Sequence, residues 1–161
     1  MPMDVIHRQQ QRLHPAGLIL LASGVGIGLM TPLLTDALAA RAAALIAALA
    51  LGLLWLNFER LTVIVTSSSI RIGHPVFNSK IALSDIRKVE LVENASPWSW
   101  GGLGVRISPG RGLGYIARGG SALRIEAEGR RLPVTFTCDE PAAILDALRT
   151  TGCHGLEEAS C

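Results

Sequence analysis

Gly17–Leu34 reads GLILLASGVGIGLMTPLL and Ala42–Leu56 reads AAALIAALALGLLWL. The first is eighteen residues without a charge, the second is fifteen, and the second runs on through Asn57 to Phe58. As a helix the first reaches about 27 Å, close to the roughly 30 Å hydrocarbon core of a bilayer. The second reaches about 33 Å when taken from Ala37 to Phe58, with Arg41 snorkelling from its first turn. Only a few residues around Thr35 and Asp36 join them. The pattern predicts an antiparallel transmembrane hairpin over 17–58, in which each helix satisfies its own backbone groups within lipid. Gly24, Gly26 and Gly28, facing an Ala-rich second helix, allow close backbone approach or self-association. Trp55 and Asn57 stand where an interfacial belt begins, and Glu59-Arg60 mark the exit into water.

The rest of the composition follows from those stretches. Asp, Glu, Lys and Arg make up 17% of the 161 residues, against about 25% in an ordinary soluble domain. Apolar residues reach 49% with only 4% aromatics, and mean hydropathy is +0.38. This excludes a disordered tail and a disulfide-dense mini-protein. A net charge of +2 is too small for a general nucleic-acid footprint, so no nucleic-acid partner is expected. A cleaved signal peptide is the rival reading of the first span, with Arg8 and Arg12 ahead of it and Ala37-Leu38-Ala39 as the cleavage-like site. Against it, the apolar stretch exceeds the usual length, Asp36 precedes the site, and a second span follows at once.

Flanking charge sets the expected orientation. Arg8 and Arg12 precede the spans, and Arg60, Arg71, Lys80, Arg87 and Lys88 follow them, whereas Arg41 is offset by Asp36. The positive-inside rule then places both termini in the cytoplasm, in a bacterial inner membrane. Three cysteines without a framework spacing, Cys138, Cys153 and Cys161, agree with a reducing compartment. Residues 1–16 read as a cytoplasmic tail.

After Arg60 the apolar period changes from helical to alternating. Candidate strands are Leu61–Thr66, Ile70–Ile72, Phe77–Leu83, Ile86–Val92, Gly104–Ile107, Leu113–Arg118, Leu123–Ala127 and Arg131–Cys138, spaced as in a barrel or sandwich. Leu123, Ile125 and Ala127 are expected inward, with Val134, Phe136 and Cys138 lining the same core and Thr135 and Thr137 exposed. Glu128-Gly129-Arg130 reads as a tight hairpin. Asp139 and Glu140 read as acidic caps ahead of Pro141, opening a helix whose Ile144, Leu145 and Leu148 share a face and which Gly152 ends. Residues 152–161 read as a flexible tail.

The ordered set IALSDIRKVELV, WSWGGLGVRI and GYIARGGSALRIEAEGRRLPVTFTCDEPAAILDAL resembles the bacterial pleckstrin-homology (PH-like) domains. The resemblance covers roughly 61–151. It rests on positions such as Ile81, Leu83, Asp85, Gly101, Gly102, Gly104, Arg106, Tyr115, Arg124, Arg130, Asp139 and Pro141. It implies a partly open antiparallel β-barrel capped by a C-terminal helix, an α+β unit following the membrane hairpin. The first hairpin of the domain, around Ser67–Ser69, departs from phosphoinositide-binding pleckstrin-homology domains in having no basic cluster.

Chemical motifs are few. His7, His14, His74 and His154 are scattered, no zinc spacing occurs, and Gly112–Ala117 fits a dinucleotide fingerprint only formally, since it leads into a strand. No catalytic residue, cofactor or metal is expected. Two features invite a binding role. Pro97-Trp98-Ser99-Trp100-Gly101 places two of the three Trp residues in a loop, suited to a membrane interface or a binding groove. Thirteen of the fifteen basic residues are Arg, and Arg106, Arg111, Arg118, Arg130 and Arg131 could gather at one rim. The candidate contact residues for membrane or partner are thus Trp98, Trp100, Arg106, Arg111 and Arg118. The expected function is a membrane-anchored, non-enzymatic module that binds a protein or peptide at a barrel edge. A self-associating structural protein and an anionic-phospholipid-binding module are the alternatives.

Overall fold

The computed structural model describes residues 4–34 and 37–153; the Thr35-Asp36 connection, and the tail beyond Cys153 with His154 and Cys161, lie outside them. The element order begins with a strand, β1 (Val5–Arg12), and then α1 (Pro15–Leu34) and α2 (Leu38–Phe58). There follow β2 (Arg60–Thr66), β3 (Ser69–Gly73), β4 (Asn78–Ala82), β5 (Ile86–Ala95), β6 (Gly104–Ser108), β7 (Gly112–Ile116), β8 (Gly120–Ala127) and β9 (Val134–Thr137). Helix α3 (Pro141–Thr150) closes the fold.

Helices α1 and α2 are both long and apolar enough to cross a membrane, and almost none of their residues is fully buried in the protein. Leu20, Leu33, Leu34 and Leu38 are 75%, 75%, 83% and 81% exposed, an arrangement that water penalises and lipid does not. The helices pack on each other through small residues. A Cβ on Gly28 would come within 2.9 Å of the Ala48 Cβ and 3.2 Å of the Ala44 carbonyl, and one on Gly24 within 2.9 Å of Leu51. Gly26 faces open space. Pro32 interrupts the ladder of α1 near its end, and the hydroxyls of Thr31 and Ser23 donate to the carbonyls of Ile27 and Ile19 at 2.8 Å each.

The first sheet runs β1-β2-β3-β4, all antiparallel, and the second runs β5-β8-β9-β7-β6. A single 3-10 turn, Leu83–Asp85, carries the chain from one sheet to the other. It is pinned at both ends, by Leu83 N–H to the Ser68 carbonyl and by Glu128 N–H to the Asp85 carbonyl. Val63, Val65, Ile70, Ile72 and Ile81 of the first sheet meet Val89, Leu123, Ile125, Val134 and Phe136 of the second in one core, all at most 2% exposed. Ile144 and Leu148 of α3, both fully buried, close it. Helix α3 ends in a Schellman arrangement: Gly152 (φ +76°) donates to the Arg149 carbonyl, and Cys153 donates to that of Leu148.

Several expectations change. Within the stretch read as a cytoplasmic tail lies a paired strand, because β1 pairs with β2 from Val5↔Thr66 to Arg12↔Arg60. The second sheet is mixed rather than antiparallel, since β7 and β9 run parallel. Placing β9 between β8 and β7 also buries Thr135 and Thr137, each 1% exposed. The Ala117 N–H donates to Thr137 Oγ1, which itself donates to Gln11 Oε1 at 2.7 Å. Asp139 and Glu140 do not cap α3 through their side chains; Asp139 accepts from Gln11 and from Arg118 instead. Cys153, read as part of a flexible tail, is buried.

Candidate functional site at the helix–sheet junction

The strand pair β1–β2 and the helix pair α1–α2 are one continuous antiparallel structure. Arg12 stands opposite Arg60, the Leu13 N–H donates to the Glu59 carbonyl at 3.1 Å, and α1 starts at Pro15. The helices are therefore an insertion between two neighbouring strands, with no linker on either side. The His14 N–H donates to the Ala117 carbonyl at 2.9 Å and ties the junction to the second sheet. His14 also caps α1: its carbonyl accepts from Gly17 N–H and its Nδ1 accepts from Ala16 N–H at 3.2 Å.

Two loops flank the junction. On the α1 side, Pro97–Trp100 forms a 3-10 turn that Gly101 ends in the left-handed region (φ +76°). Trp98 stands 91% exposed. Trp100 is buried over Gly114, where a Cβ would fall 2.6 Å from its ring, so only glycine fits beneath it. On the α2 side, Asn57 Oδ1 accepts from the Val76 N–H at 2.9 Å, and Phe58 stacks on Phe77 with ring centroids 5.9 Å apart. Val76 and Phe77 remain 72% and 49% exposed. A large apolar residue at a turn tip is costly in water, and these tips lie beside the two helix ends.

The five candidate contact residues divide. Trp98 and Arg106 come together in a cleft of about 680 Å³ between the start of α1 and the Pro97–Trp100 turn, lined also by His14, Ala16, Gly17, Leu20, Asn94, Ser96 and Leu103. Trp100 and Arg111 form a structural pair: Arg111 donates to the Ser99 carbonyl and sits 6.0 Å from the Trp100 ring centroid. Arg118 pairs with Asp139. Arg130 is drawn to the far side, donating to Ser79 Oγ and the Lys80 carbonyl, so no single arginine rim forms. His14, Val76 and Phe77 were missed in the sequence; the signal was present in Val76-Phe77, two large apolar residues directly after Pro75 in a turn.

Behind the α2 loop lies His74, 2% exposed, its ring edge-on to Phe58 at 4.8 Å. Burial pushes its imidazole below the ordinary value, opposed by the hydrogen bond at 2.9 Å between Nδ1 and the Arg60 carbonyl. Burial raises the Cys138 thiol to about 12, helped by the neighbouring Asp139 carboxylate, so it is an unreactive core residue. Glu90 on β5 lies below its usual range because Lys88 donates to it. Among the described residues no three or more His, Cys, Asp or Glu side chains gather as metal ligands.

The sheet edges differ in their cover. Arg130 closes on β4, and the chain before α3 lies along β1, where Gln9, in the amide orientation that satisfies it, accepts from the N–H groups of Asp139 and Glu140. β5 and β6 are the outer strands of the second sheet, and β5 is ten residues long. Compared with protein-family models, with curated proteins and with solved structures, the chain matches none.

Proposed function

We propose that this protein is a membrane-anchored PH-like binding or scaffolding module, held on the cytoplasmic face of a bacterial inner membrane, that takes a protein or peptide partner at the edge of β5. The observation that carries the reading is the insertion of two apolar helices, without linkers, between paired strands. Such an anchor fixes more than proximity: it orients the domain against the bilayer, with Trp98 on one side and Val76 and Phe77 on the other entering the interface. Fixed orientation lowers the entropy of meeting another membrane component. β5 suits strand addition because it is long and lies at a sheet edge, and its Arg87, Lys88, Glu90 and Glu93 set charges of both signs along it, Arg87 pairing with Glu128 and Lys88 with Glu90.

The test is site-specific photocrosslinking in intact membranes. A photoreactive residue at Arg87 or Glu93 is expected to give a discrete heterologous product that the same residue at Lys80 on β4 does not. A product of twice the chain's own mass from every position would favour self-association instead. Absence of any product from β5 positions would remove the edge-binding reading.

A further inference from the structure

We propose that the cleft between the start of α1 and the Pro97–Trp100 turn binds one anionic phospholipid, its phosphate held by Arg106 and its acyl chain laid along Leu20 and Leu103. The proposal rests on reading α1 as a membrane span, and it gives the domain a ligand drawn from the bilayer itself. At about 680 Å³ the cleft has the size of a small-molecule site. Its lining joins apolar Ala16, Leu20 and Leu103 to the cationic Arg106. Leu20 belongs to both the cleft and the exposed face of α1, where it is 75% accessible. The apolar floor therefore opens directly onto the side of the helix that lipid would cover.

The polar end fits a phosphodiester. Arg106 is exposed and makes no ion pair among the described residues, whereas Arg87, Arg118 and Arg124 each hold a carboxylate. Its guanidinium lies over Gly102, where a Cβ would come within 3.0 Å of Nη2, so a glycine makes room for it there. His14, also in the lining, accepts at Nδ1 from the Ala16 N–H, which leaves Nε2–H as its side-chain donor. Among the described residues no Asp or Glu lines the cleft; Glu93, beside Asn94 in sequence, is not part of its wall. A headgroup ammonium would find no carboxylate, and so the site selects a lipid of net negative charge over a zwitterionic one.

The full-length chain is reconstituted in nanodiscs of mixed phosphatidylglycerol, phosphatidylethanolamine and phosphatidylcholine, and retained lipid is read by native mass spectrometry. One phosphatidylglycerol per chain is expected, falling about tenfold in occupancy-derived affinity in Arg106→Gln and unchanged in Arg131→Gln, in the turn at the far end of β8. Equal retention by Arg106→Gln, or no preference among the three lipids, overturns the proposal. Full displacement by excess inorganic phosphate overturns it in favour of a free-anion site, because the acyl contacts would then contribute nothing. A chain that will not enter nanodiscs and stays monodisperse without detergent contradicts the membrane reading beneath it, and with it this proposal.

Discussion

At the scale of single residues, the polar groups of β1 do what an apolar strand face does elsewhere. Gln11 is 4% exposed, accepts from Thr137 and donates to Asp139 at 2.7 Å, so one amide links the edge strand, the central strand of the second sheet and the chain before α3. Gln11→Ala strands the Thr137 hydroxyl without its acceptor and removes a donor from Asp139. The expected cost is about 1–3 kcal/mol of stability, read as a lower midpoint in thermal unfolding of the detergent-solubilised chain. His74 carries a pH dependence whose sign follows from its depressed value: the unfolded chain binds the proton more readily than the folded one. Its contribution is complete above about pH 6.5, the unfolded value, and is lost as pH falls below it toward the folded value. His74→Asn, which keeps a donor near the Arg60 carbonyl, is expected to flatten the stability profile between about pH 7 and 5; a profile that stays as steep places the acid sensitivity elsewhere.

At the scale of elements, α1 and α2 are legible in the sequence because uncharged runs of eighteen and fifteen residues, Gly17–Leu34 and Ala42–Leu56, leave few alternatives to lipid. The glycines of α1 separate by face. Gly24 and Gly28 are spent on contact with α2 while Gly26 points away, a distinction that depends on helix phase and pairing and is absent from composition. Gly28→Leu must push α2 off at the Ala44–Ala48 backbone. About 1–3 kcal/mol of overpacking is expected, seen as greater protease or detergent sensitivity of the hairpin, while Gly26→Leu is expected to be neutral. β2 to β8 announce themselves through alternating apolar residues. β1 does not: VIHRQQQR carries no apolar alternation, because its partners are amides and hydroxyls and its outer edge is covered by residues that follow in sequence more than a hundred positions later. Thr135 and Thr137 escaped for a related reason, since a strand inserted between two others is buried on terms that its own alternation does not record. Of the five candidate contact residues, only Trp98 and Arg106 line the cleft. Which arginines are consumed by Asp139, Ser99 or Lys80 is decided by tertiary neighbours.

At the scale of the whole molecule, the chain enters the helices from one strand and returns from them into the neighbouring strand of the same sheet. A fragment beginning at Leu61 would therefore lack β1 and expose the β2 edge, so work on the domain requires the N-terminal strand. The same connectivity places β1 and the second sheet on one side of any membrane that the helices cross, whichever side that is. The most direct measurement is labelling by a membrane-impermeant maleimide in sealed membrane vesicles of known orientation. Single cysteines are introduced at Arg8 on β1, Glu93 on β5 and Ala37 between the helices, with the native cysteines replaced by alanine. Arg8→Cys and Glu93→Cys should label from the same side, and Ala37→Cys only from the other. Labelling of positions 8 and 93 from opposite sides, or recovery of the chain in the supernatant rather than the vesicles, would contradict a two-span insertion within a single sheet.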